Sequence, residues 1–96
     1  MQNNITEKLK RHSQKIQKRF KVKRIGVFGS QIKGKAKEKS DVDVLVEFEP
    51  DGETFDNYME LKFFLEEIFH KNVDLVIKNS LKEEIKEDIL SETVYV

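Results

Sequence analysis

At 96 residues with no cysteine, the chain has no disulfide, no thiolate metal site and no cysteine nucleophile. No apolar run approaches the ~20 residues needed to cross a bilayer, and the polar, helix-patterned N-terminus is not a signal peptide; a cytoplasmic protein built as one domain over residues 1–96 is expected. The net charge of zero conceals a division: residues 1–40 carry 13 Lys and Arg against Glu7 and Glu38, and residues 41–96 carry five Lys against 16 acids. Such asymmetry points to an anionic ligand, an RNA or a charged partner, or more plainly to two halves that pair with each other across the surface.

The first predicted element is a helix over about 4–19, where Ile5, Leu9, His12, Ile16 and Phe20 recur at spacings of three and four and form one apolar stripe. His12 on that stripe is read as packed rather than catalytic. A strand follows over Lys23 to Phe28, rich in β-branched and aromatic side chains, and ends at Gly29-Ser30. Gln31 to Ser40 is polar and lysine-rich, a short helical turn and then a loop. A second strand covers Asp43 to Phe48, and Glu49-Pro50-Asp51-Gly52 is a turn. A long helix is expected from Thr54 to His70. His70 lies near its C-terminus, where a partial positive charge is favourable. Val73 to Ile77 is a third strand. Ser80 and Glu83 match a capping box, so a last helix is predicted from Leu81 to Leu90, after which Val94 to Val96 can add a short strand. The pattern implies a small α/β domain: a short mixed sheet of three core strands with helices packed on it.

The chemistry gathers at two strand ends. Asp41 and Asp43, two residues apart, point to the same face of a strand. Two such carboxylates repel unless a cation lies between them, and Mg²⁺ is held by one or two carboxylates together with substrate phosphates. Gly29 and Ser30 lie where a strand gives way to a helical turn, a place where backbone N–H groups and a hydroxyl hold phosphate oxygens; by themselves they also fit a plain capped turn. Asp74 interrupts an apolar strand. There it is costly unless paired or metal-bound, or it lies at an exposed edge. If its strand neighbours the second one, it joins Asp41 and Asp43, with the capacity to bind metal and to take a proton from an attacking hydroxyl.

Gly29-Ser30, ten intervening residues, then Asp41-Val42-Asp43 resembles the signature of the DNA polymerase β-like nucleotidyltransferases. The longer strings Val27 to Ala36 and Ser40 to Phe48, with Asn72 to Val76 and the ending Ile89 to Val96, are similar to the minimal nucleotidyltransferases of that superfamily. The resemblance implies that Gly29 and Ser30 bind the nucleotide's phosphates, that Asp41, Asp43 and Asp74 form a metal-binding triad for two Mg²⁺ ions, and that Asp74 assists deprotonation of the acceptor. It also implies an antitoxin that transfers AMP from ATP to a tyrosine of a HEPN-domain RNase toxin, or one that neutralises the toxin by binding alone. Many relatives have Arg where this chain has Gln31 and Lys33. Lys33 keeps the charge for a triphosphate contact, as Lys35 does, but not the bidentate fork. Direct RNA binding through Lys8, Lys10, Arg11, Lys15, Lys18 and Arg19 is disfavoured, because no aromatic stacking platform accompanies them. No second substrate domain is expected in 96 residues, so the acceptor is expected to present its own hydroxyl. Self-association is left open by the sequence.

Overall fold

The computed structural model describes residues 4–29, 32 and 41–96. The N-terminal stripe folds as two helices rather than one: α1 over Asn4–Arg11 and α2 over Ser13–Phe20. The break falls at His12, whose backbone (φ −103°, ψ 6°) leaves the helical region. The stripe survives the break, since Ile5, Leu9, Ile16 and Phe20 are all buried. The His12 ring meets Phe64 edge-on at 5.9 Å, so the residue is packed as expected. Lys21 closes α2 in the left-handed region (φ 55°), its N–H donating to the Gln17 carbonyl, and its ammonium pairs with Asp51 at 2.8 Å. That ion pair joins the basic half to the acidic half. Lys62–Glu66 and Lys78–Glu47 lie within the acidic half.

Strands β1 (Val22–Phe28), β2 (Val42–Phe48), β3 (Val73–Ile77) and β4 (Val94–Tyr95) make one mixed sheet in the order β3-β2-β1-β4. The sheet is thus four-stranded, with the terminal strand added to the expected three. β1 runs antiparallel to β2 and β4, and β2 runs parallel to β3. The parallel step requires a crossover, supplied by helix α3 over Phe55–Phe69. Side chains alternate across the sheet. Ile25, Val27, Val42, Val44, Val46, Val73 and Leu75 join Leu9, Ile16, Phe20, Leu61, Leu65 and Phe69 in the core cluster. The row Phe28, Asp43 and Asp74 therefore falls on the opposite face, continuous across three strands by register.

α3 begins on Thr54, whose hydroxyl accepts from the Asn57 N–H at 3.2 Å. Asn57 also donates its side-chain amide to the carbonyls of Phe20 (2.6 Å) and Gly52 (2.8 Å), tying the start of α3 to the end of α2. Replacing Asn57 with Ala removes two hydrogen bonds worth about 1 kcal/mol each. The expected loss of about 2 kcal/mol is read from the midpoint of urea unfolding.

The capping box does not form. Ser80 belongs to a 3-10 turn over Lys78–Ser80, closed by the Leu81 N–H on the Lys78 carbonyl at 3.2 Å. Leu81 and Lys82 are extended, and the last helix, α4, runs over Glu83–Glu92 behind Lys82 with no side-chain cap. The local turn took the backbone that a capped helix start would have used. Among the described residues no helix is long and apolar enough to cross a membrane.

Candidate active site

β1 ends at Gly29, which adopts φ +79°, a conformation that costs a residue with a Cβ and suits glycine. A second constraint acts at the same atom: a Cβ on Gly29 would collide with the Asp43 carboxylate on the neighbouring strand. Glycine here is favoured by the backbone turn, and a larger residue would also displace the Asp43 carboxylate. The Gly29 carbonyl accepts from the Ile32 N–H at 3.0 Å. Ser30, Gln31, Lys33 and Lys35 lie outside the described residues.

Asp41 is exposed just before β2. The Val42 N–H donates to the Asn72 carbonyl at 2.9 Å, fixing the entry to β2 beside the entry to β3. In the parallel register Asp43 stands opposite Asp74. Adjacent strands lie about 4.8 Å apart, so the two carboxyl groups are lateral neighbours. β3 is the edge strand and Asp74 is exposed, which explains how an acid is tolerated in an apolar strand. Asp43 is half-buried, and its carboxyl is held above the usual carboxylate range, first by burial and then by the charges of Asp74, Asp41 and Glu92. The acids named from the sequence are thus brought together electrostatically on one face beside Gly29.

Tyr58 of α3 braces this corner from the core side. Its hydroxyl donates to the Leu75 carbonyl at 2.5 Å, one residue beyond Asp74. The phenol is pushed above its ordinary range by burial and then by the Asp74 charge.

Glu92 was missed in the sequence reading. It is the last residue of α4, and it accepts a hydrogen bond from the Gly29 N–H at 3.3 Å across a separation of 63 residues. Pairing of β4 beside β1 brings it there, in the register Gly26↔Tyr95 and Val27↔Val94. That pairing needs glycine at position 26, where a Cβ would lie 2.7 Å from both the Thr93 methyl and the Val94 carbonyl oxygen. Gly26, read with the terminal strand, was the available signal. Among the described residues no three acidic or histidine side chains converge into a ready-made metal cage.

A strand-end glycine thus lies beside an Asp-x-Asp strand, with a third acid in register. Residues 9–96 match the nucleotidyltransferase domain family; the chain belongs to that family and is an enzyme of the nucleotidyltransferase class. Among its relatives, the protein adenylyltransferase MntA of Thermococcus cleftensis is 47% identical over 85 residues, covering 88% of this chain and 85% of the relative. A solved structure described as a minimal nucleotidyltransferase superposes with a TM-score of 0.82 at 32% identity, over 98% of this chain and 95% of the other. The fold is also similar, at 18% identity and a TM-score of 0.67, to a chain in the complex of a tri-AMPylated Shewanella oneidensis HEPN toxin with an MNT antitoxin, covering 95% of this chain and 70% of that one.

Proposed function

We propose that residues 1–96 form one cytoplasmic nucleotidyltransferase unit that transfers AMP from ATP to a tyrosine hydroxyl of a HEPN-type toxin and thereby acts as its antitoxin. The observation that carries the reading is the register of Asp43 with Asp74 across β2 and β3, beside the strand-end Gly29. Two names support the substrate and partner: the Thermococcus relative is a protein adenylyltransferase, and the Shewanella complex holds an AMPylated HEPN toxin.

The donor set fits a hard divalent cation. Asp41, Asp43 and Asp74 offer only oxygen, and the raised Asp43 carboxyl marks a cluster of negative charge. Mg²⁺ prefers a few carboxylates together with the substrate's own phosphates. Asp41 and Asp43 would hold two such ions, with Asp74 as a further ligand; bound there, Mg²⁺ would neutralise the charge on the oxygens of the transferred and leaving groups. The Gly29 N–H, Ser30 and Lys33 hold the triphosphate. The acceptor oxygen attacks the α-phosphorus, its proton passes to an Asp74 carboxylate oxygen, and the bond to the departing pyrophosphate breaks. The protein's own contribution is positioning and charge.

The test is transfer of label from ATP to a HEPN-domain toxin, in Mg²⁺, by the wild type and by an Asp41→Ala/Asp43→Ala double variant. Wild-type transfer with none from the variant is expected. Equal transfer by both sinks the reading. The alternative, neutralisation by binding alone, is motivated by the opposed charges of the two halves; it predicts that the double variant still suppresses toxicity in cells.

A further inference from the structure

α4 reaches the site through the carboxylate of Glu92, and the group it takes is the Gly29 N–H. One N–H donates well to one oxygen at a time. The donor that a phosphate oxygen requires is therefore shared with an internal anion. Two features make this contact displaceable. At 3.3 Å it is longer than the usual ~2.9–3.0 Å for N–H···O, and α4 has no buried residue, so its last turn can shift with little loss of core packing. Glu92 also adds its charge to those around Asp43, which opposes an incoming triphosphate.

We propose that Glu92 occupies the phosphate-binding N–H of Gly29 in the nucleotide-free protein, and that a nucleoside triphosphate must displace its carboxylate and loosen the C-terminal turn of α4. This rests on the reading of Gly29 as a phosphate donor. β4 follows Glu92 after a single residue and stays paired with β1, so the displacement is a local opening of the α4 end. The position of that turn differs between the free and the loaded protein.

The experiment titrates a non-hydrolysable ATP analogue with Mg²⁺, and separately tripolyphosphate without metal, into the wild type, Glu92→Ala and Glu92→Gln, by calorimetry. Removing a charge-assisted competitor predicts about tenfold tighter binding of both ligands by Glu92→Ala. Glu92→Gln keeps the side chain's size and an accepting oxygen without the charge, and falls between the two. Hydrogen exchange on the wild type is expected to show faster exchange of the Leu90 to Thr93 amides once the analogue saturates. Affinity that is unchanged or weaker in both variants overturns the proposal while leaving Gly29 as a phosphate donor. A loss confined to the Mg²⁺ titration makes Glu92 a metal ligand and equally overturns it. A wild type that binds neither ligand brings down the reading of Gly29, and the proposal with it.

Discussion

Asp43→Asn is expected to lower nucleotidyl transfer on the order of a thousandfold and, in metal-free buffer at neutral pH, to raise the thermal unfolding temperature. The two effects share one cause. Asp43 is half-buried among Asp74, Asp41 and Glu92, so its folded-state carboxyl is harder to ionise than in the unfolded chain. A group with a raised folded-state pKa favours folding below its unfolded value, and that contribution is lost as pH rises through the folded value. Above the carboxylate range the ionised wild type carries a repulsion that the neutral amide removes. As pH falls and the carboxyl protonates in both states, the advantage of Asn disappears. Added Mg²⁺ works the other way, because a ligand that binds only the folded state stabilises it; wild type should gain more than the variant. Thermal scans across pH, with and without Mg²⁺, read all three trends. A variant less stable than wild type at neutral pH without metal would contradict the account.

Gly29→Ala should damage both fold and activity. The left-handed backbone costs a residue with a Cβ about 1–3 kcal/mol, and the new methyl would press on the Asp43 carboxylate. Either the end of β1 or Asp43 must move. Transfer is expected to drop by about a hundredfold or more, since displacement of a reacting group by about 1 Å is enough for that. A double-mutant cycle in urea separates the two causes. Gly29→Ala should cost less in an Asp43→Ala background, by the part due to the collision, while the backbone part remains. Full additivity would mean that the two residues do not meet.

Much of this was legible because the decisive features are local. The Asp-x-Asp pair lies at the start of one strand, and Gly29 follows the end of another. Alternation alone put Asp41 and Asp43 on one face. Asp74 needed only the parallel neighbour that a strand–helix–strand pattern implies, and the register set it opposite Asp43. The departures have physical reasons too. The N-terminal stripe has the same spacing whether or not the helix breaks at His12, because a one-residue interruption keeps Ile16 and Phe20 on the buried side. The Ser80 and Glu83 pair has the right letters for a capping box, but a 3-10 turn closes on Lys78 first. Glu92 left only the indirect trace of Gly26 and the terminal strand. Its contact spans 63 residues and depends on a two-residue strand docking against Gly26, and no periodicity in the chain announces it.

The central claim is that the site moves a nucleoside monophosphate rather than a terminal phosphate. The most direct measurement supplies ATP labelled either at the α- or at the γ-phosphate, with Mg²⁺, this chain and a HEPN-domain toxin, and follows label on the toxin. The account predicts that the α-label is transferred and the γ-label leaves in pyrophosphate, with the modified residue a tyrosine. Transfer of the γ-label, or α-label transfer undiminished in Asp41→Ala/Asp43→Ala, would contradict it.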